Sequence, residues 1–395
     1  MTKQSAATFH WFLPTASDGR SLTVGTHGTH GSAAGSDTAP EAGADRFRAP
    51  DIGYLTQVAQ AAERQGFDGI LTPTGTWCED AWLVSAALAR ETERLRFLVA
   101  FRPGFISPTL TAQMATTFQR LSGGRLLLNV VTGGEQEEQA RFGDHLSKEQ
   151  RYARTAEFLT VLRGSWSGVP FDFSGEYYDV RGATVAAPPD PAPGVYFGGS
   201  SQAAGTVAAR HVDTYLTWGE PPAQVAEKIG RIRKLAAEEG RTLRFGIRFH
   251  VVTRDTAAEA WAAADRLLHG LDPAHVGQVQ NVLAASESTG QARMRALHEG
   301  FRSGWRRSDL EIYPNVWAGV GLLRGGAGTA LVGSHTEVAD RIGEYADLGI
   351  EEFILSGFPH LEEAYWVGEG VLPELRRRGL AAPLAATRGT RGHDR

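Results

Sequence analysis

What constrains this chain most is an alternation. Eight short runs rich in β-branched and aromatic residues recur along it, most followed by a longer amphipathic run. They are Thr8–Thr15, Gly66–Pro73, Leu95–Pro103, Arg125–Gly133, Gly194–Ser201, Thr214–Glu220, Leu243–Thr253 and Glu351–Phe358. Parallel strands joined by helices bury both faces of their sheet, and eight such units close into a barrel. The predicted fold is α/β, a TIM (β/α)8 barrel forming one domain over 1–382, with a disordered tail at 383–395.

The connecting runs carry helix signals. After the sixth strand, Gly-Glu-Pro-Pro places prolines where a first turn tolerates them, and Val225, Ile229, Ile232 and Leu235 recur at helical spacing until Gly240. After the second, Glu79 and Asp80 open a helix expected to run through Leu83, Val84, Ala87 and Leu88. Three segments break the repeat, at 21–50, 165–193 and 271–334. Because loops after barrel strands build the active site, these insertions are candidate lids.

Composition narrows the function. The chain has 395 residues, 42% of them hydrophobic, enough for a large core. A formal net charge of −5 gives no footprint for nucleic acid, and no basic amphipathic helix or membrane-length apolar run occurs. The N-terminus shows no apolar signal-peptide core, so a cytoplasmic protein with a small diffusing substrate is expected. A single cysteine, Cys78, makes neither an internal disulfide nor a multi-cysteine zinc site.

Reactive groups of such a barrel sit at C-terminal strand ends. On the seventh strand Phe245, Ile247, Phe249 and Val251 share one face, and Arg244, Arg248 and His250 the other. Helices take the apolar face, so Arg248 and His250 are expected to point inward as two cations. Such burial requires a carboxylate opposite or a pocket for an oxyanion. Trp218, ending the sixth strand, either walls that pocket or packs in the core. Arg102 ends the third strand, and Asn129 and Thr132 lie on the fourth, all placed to line the mouth. Gly199, Ser200 and Ser201, closing Tyr196-Phe-Gly-Gly-Ser-Ser, offer unobstructed amides and hydroxyls for a phosphate. Arg324, in Arg-Gly-Gly-Ala-Gly-Thr, is either the cation of a closing lid or a solvated loop residue. Cys78 stands at a helix start, where a thiolate is stabilised, or is simply a small apolar side chain.

Other motifs fail. Gly319-Val-Gly-Leu-Leu-Arg lacks the third glycine of the dinucleotide fingerprint. His27 and His30 have ligand-like spacing, but no carboxylate or thiolate completes a site, so no metal is expected.

Longer strings connect these residues. They are Trp-Phe-Leu-Pro-Thr at 11–15, Cys-Glu-Asp-Ala-Trp-Leu-Val at 78–84, Tyr-Phe-Gly-Gly-Ser-Ser at 196–201, Leu-Thr-Trp-Gly-Glu-Pro-Pro at 216–222 and Phe-Gly-Ile-Arg at 245–248 with His250. The region 315–333, Asn-x-Trp-Ala-Gly-Val-Gly-Leu-x-Arg-Gly-Gly-Ala-Gly-Thr-Ala-Leu-Val-Gly, and Pro-His-Leu-Glu-Glu-Ala-Tyr at 359–365 complete the set. From about Phe9 to Leu375 the chain resembles the two-component alkanesulfonate monooxygenases of the luciferase-like flavin monooxygenase family.

The resemblance implies a homo-oligomer acting in sulfur assimilation. Reduced FMN would come from a separate NAD(P)H-dependent flavin reductase, and with dioxygen an alkanesulfonate would yield an aldehyde and sulfite. It implies Arg248, His250 and Trp218 around sulfonate and flavin, Arg324 on a mobile lid, and Cys78 near the flavin. It also implies Ser200, Ser201, Asn129 and Tyr152 among FMN contacts. Two positions depart from the pattern: Ala16 stands where members have His, and Phe358 where they have Tyr. Phe358 shares parity with Ser356 and should reach the mouth, but it cannot move a proton. The same flavin chemistry on a sulfone or an alkane is therefore a second expectation, and a flavin-binding protein without turnover a third.

Overall fold

Eight parallel strands close on themselves in the computed structural model, which describes residues 6–22, 47–269, 271–298 and 307–384. They are β1 (Thr8–Phe12), β2 (Gly69–Thr72), β3 (Arg96–Phe101), β4 (Leu126–Val130), β5 (Val195–Gly198), β6 (Thr214–Trp218), β7 (Arg244–Arg254) and β8 (Glu352–Ser356). Each pairs with its sequence neighbours, and β8 returns to β1. Most strands end before the predicted runs do, because the last residues of those runs leave the ladder to form the mouth. Most of the first insertion and of the tail lies outside the described residues. Among the described residues no helix is long and apolar enough to cross a membrane.

The helices follow their local signals. Pro222 opens the helix Pro222–Glu238, which buries Val225, Ile229 and Ile232 as expected, adds Lys228 and Ala236, and leaves Leu235 half-buried. Helix Ala81–Leu88 is capped by Asp80, whose side chain accepts from the Leu83 amide. It buries Ala81, Trp82, Ser85 and Leu88, whereas Leu83 is 74% exposed. Trp82, packed on Phe101 with ring centroids 6.0 Å apart, sets the inward face.

The barrel interior is layered. At its N-terminal end His10 Nε2 meets Glu352 Oε2 at 2.9 Å, and Arg244 Nη1 meets Glu352 Oε1 at 2.7 Å. Burial alone would raise the Glu352 carboxyl, yet His10 and Arg244 hold it below its usual range. Above lies an apolar plug of Phe12, Leu71, Leu98, Leu127, Tyr196 and Ile354. The plug seals the floor, so only the C-terminal end is left for a ligand.

The third insertion is not loop throughout. It contains helices Pro273–Ala284 and Thr289–Ala296 and a strand, Ala330–Ser334, parallel to the outer half of β7. β6 leaves β7 after Arg248, and the added strand takes over at His250, so the peptide groups of a strand eleven residues long stay paired. The second insertion folds as a hairpin of Phe171–Ser174 and Asp179–Ala183.

Candidate active site

A cleft of about 340 Å³ opens at the C-terminal mouth. Arg248, His250, Trp218, Arg324, Arg102, Asn129, Thr132, Tyr152, Gly199, Ser200 and Ser201 all line it, as do Ala16 and Phe358. Cys78, the remaining candidate site residue, is missing from its wall.

The cleft has a cationic end. Arg248, in register with Trp218 across the β6–β7 ladder, lies over the Phe12 ring at 3.9 Å, and Arg324 lies over Phe358 at 4.7 Å. Among the described residues no carboxylate pairs with Arg248, and its buried Nε has no hydrogen-bond partner. Burial, then the neighbouring Arg324 charge, pulls Arg248 down to about 9. Burial likewise pulls Arg324 down to about 10, against the pull of Asp18. Both guanidiniums remain charged at neutral pH, and two like charges on aromatic walls are complementary to an anion.

His250 is not the second cation expected from β7. Its Nδ1 meets Ser356 Oγ at 2.8 Å and its Nε2 the Ala327 carbonyl at 3.0 Å. A carbonyl only accepts, so Nε2 carries the proton and Nδ1 accepts from the Ser356 hydroxyl. Burial, then the Arg248 and Arg324 charges, hold the ring well below its usual value and neutral. Phe358 stacks on it at 5.1 Å.

Two residues of this end escaped the sequence reading. Asp18, fully enclosed, accepts from His360 Nδ1 at 2.9 Å, from the His360 amide at 2.8 Å, from the Gly19 amide at 2.8 Å and from the Tyr54 hydroxyl. Burial alone would raise its carboxyl, but His360 above all holds it below the usual range. His360 follows β8 by four positions and Asp18 follows β1 by six, so their places just past strand ends were the available signal.

At the other end, Ser201 caps the helix Gln202–His211 by accepting from the Ala204 amide. A Cβ added to Gly199 would stand 2.6 Å from the Ala204 Cβ, which is why this turn needs glycine. The Tyr215 hydroxyl donates to the Gly199 carbonyl at 2.6 Å, and the turn lines the cleft beside Tyr152. Arg102 lines the same side, paired with Glu138 at 2.6 Å and flanked by Phe105 and Phe142.

The third insertion is tied down over the mouth. Gln291 Oε1 accepts from the Gly326 amide at 2.9 Å, and Gln280 Nε2 donates to the Gly321 and Leu322 carbonyls, both at 2.9 Å. Buried Glu220 joins Lys228 of the barrel shell to Arg293 of the insertion. Trp218 lies so close to Gly290 that a Cβ there would be 2.9 Å from the indole.

Cys78 sits apart from the cleft wall. Its Sγ lies 3.8 Å from the Pro73 carbonyl and 3.7 Å from that of Gly75, and burial pushes the thiol up to about 12. The helix begins only at Ala81 with an Asp80 cap, so no free helix terminus stabilises a thiolate. Among the described residues no group of three His, Cys, Asp or Glu side chains fits a metal, and His27 and His30 lie outside them.

The model of the luciferase-like monooxygenase family matches residues 8–352. The chain belongs to that family. Solved structures with the same barrel include riboflavin lyase with modified FMN and riboflavin, at 21% identity and TM-score 0.74, covering 97% of this chain and 94% of that one. EDTA monooxygenase from Chelativorans sp. BNC1 matches at 20% identity and TM-score 0.70, covering 96% of each. A long-chain alkane monooxygenase matches at 21% identity and TM-score 0.68, covering 97% of this chain and 93% of that one. Identities this low establish the shared fold and leave the substrate to the side chains of the cleft.

Proposed function

We propose that this luciferase-like monooxygenase uses reduced FMN and dioxygen to convert alkanesulfonates into an aldehyde and sulfite. The observation that carries the reading is the pair Arg248 and Arg324, held on aromatic rings at one end of the cleft with Arg248 unmatched by any described carboxylate. A sulfonate, flat on no side and negative on three oxygens, suits two such guanidiniums.

The cleft also fits FMN. The Gly199 turn would take the phosphate with Ser200, Ser201 and Tyr152, while Asn129, Thr132 and Arg102 line the space toward the cationic end. Reduced FMN would supply the two electrons that activate dioxygen. Trp218, Phe12 and Phe358 would keep water from that chemistry, and Arg248 and Arg324 would orient the sulfonate. The reading calls for an NAD(P)H-dependent flavin reductase as partner, and for a homo-oligomer in the cytoplasm, where NAD(P)H is at hand, serving sulfur assimilation.

Ala16 and Phe358, with Phe12, Leu71 and Ile354, make the adjoining wall apolar and favour a second reading, the same chemistry on a sulfone or alkane. The test is sulfite release from sulfonates of graded chain length, with a flavin reductase, NADPH and FMN. Oxygen uptake with a sulfone or alkane, and no sulfite at any chain length, would select the second reading and reject the first.

A further inference from the structure

Two histidines line the cleft, and they are built differently. His250 has both ring nitrogens engaged by Ser356 and Ala327 and sits beside two guanidiniums that oppose its protonation. His360 has only Nδ1 engaged, by Asp18. Its Nε2 has no protein partner among the described residues, on a ring that lines the cleft.

Everything around His360 holds that orientation. Phe12 and Phe358 pack on the ring at 5.7 and 5.3 Å, and Trp11 Nε1 donates to the His360 carbonyl at 3.1 Å. Asp18 is itself immobilised by the Tyr54 hydroxyl and the Gly19 amide, and Tyr54 in turn is met by Arg48, which pairs with Glu362. A carboxylate on Nδ1 selects the Nδ1–H tautomer and turns the Nε2 lone pair outward. Of the charged groups nearby, Asp18 is held as a carboxylate by this pairing, Arg248 and Arg324 line the same cleft, and His250 stays neutral.

We infer that His360, oriented by Asp18, is the proton-transfer group of this cleft and that Asp18 is its positioning residue. The inference rests on the monooxygenase reading above. In desulfonation, R–CH2–SO3− takes up one oxygen atom from dioxygen, the other leaving as water with the two electrons and two protons of reduced FMN, and yields R–CHO, SO3 2− and a proton. The carbon–sulfur pair leaves with sulfite, the carbon–hydrogen pair becomes one bond of the carbonyl, and the oxygen atom contributes the other. His360 Nε2 takes the proton shed by that carbon and releases it to the departing sulfite as bisulfite. Neither Ala16 nor Phe358 can carry this proton, and His250 has no free nitrogen with which to take it.

The experiment compares the full-length protein with His360→Gln, His360→Gly and Asp18→Asn. FMN binding, read by fluorescence quenching, should stay unchanged in all three and certifies the fold. His360→Gln should lower kcat for sulfite release about 100-fold with little change in KM, and free imidazole should restore His360→Gly about tenfold. Asp18→Asn should lower kcat about tenfold and move the kcat–pH profile. In spectra of protein labelled with nitrogen-15 histidine, His360 should carry its proton on Nδ1 and His250 on Nε2. Retained kcat in His360→Gln, no imidazole rescue with FMN binding intact, or an Nε2–H tautomer at His360 would each overturn the inference. If the wild type releases no sulfite from any sulfonate, the substrate reading fails separately; the tautomer, and rescue read by oxygen uptake, still decide the role of His360.

Discussion

The imidazole of His250 donates from Nε2 to the Ala327 carbonyl at 3.0 Å, joining β7 to the loop that carries Arg324. One buried neutral ring thus positions a cation it does not touch by charge. In His250→Leu, similar in volume, Ala327 and Ser356 lose their partners. Unfolding in urea should then show a loss of about 1–3 kcal/mol. Tryptic cleavage after Arg324 should also accelerate. Unchanged cleavage in a destabilised variant would mean that the loop is held by Gln291 and Gln280 alone.

Anion affinity should break at alkaline pH. Arg248 is pulled from its ordinary value down to about 9, so above that pH the free protein loses the charge an anion needs. The dissociation constant for a sulfonate, measured by calorimetry, should be flat through neutrality and rise above about pH 9. The stability effect has the opposite sign. A guanidinium depressed in the folded state binds fewer protons there than when unfolded, so stability grows as pH climbs from the folded value toward the ordinary arginine value. Arg248→Met should weaken the anion by about tenfold or more and remove the break. An affinity that is level to pH 10.5 would place the anion elsewhere.

Gly199→Ala tests the phosphate end. The new Cβ would be 2.6 Å from that of Ala204, so the turn must open. FMN affinity by fluorescence quenching should fall at least tenfold, or about 1.4 kcal/mol, with the melting temperature little changed. Full affinity in this variant would remove the turn from the flavin site.

Cys78 should prove inert. With its thiol pushed up to about 12, almost none of it is thiolate at pH 8. Alkylation by iodoacetamide at that pH should be far slower than for a free thiol, and Cys78→Ala should keep kcat within about threefold. A rapidly alkylated, inactive protein would return Cys78 to the chemistry.

Much of this was open to reading in one dimension. The β-then-α alternation led to the barrel, and the parity of Phe245 through His250 correctly sent Arg248 and His250 inward. The Gly-Ser turn after β5 and Arg102, Asn129 and Thr132 were found because a strand's end lies at the mouth by construction. The Ala330–Ser334 strand was missed because its reason for existing is the unpaired outer half of β7, a partner about eighty residues away. The inward face of Ala81–Leu88 was not legible because it is set by Trp82 packing on Phe101, a contact no local pattern contains.

Residue type and spacing alone determined the barrel, the direction of each strand's side chains and which cations reach the mouth, since those follow from periods of 2 and 3.6 along a single chain. Protonation was decided only in three dimensions. His250 and His360 are the same residue type on adjoining strand ends, yet one is locked neutral between a hydroxyl and a carbonyl while the other stands before a carboxylate. Those partners come from a strand end and loops distant in sequence, and a charge in a low-dielectric cleft is governed by what folding places within a few ångströms of it.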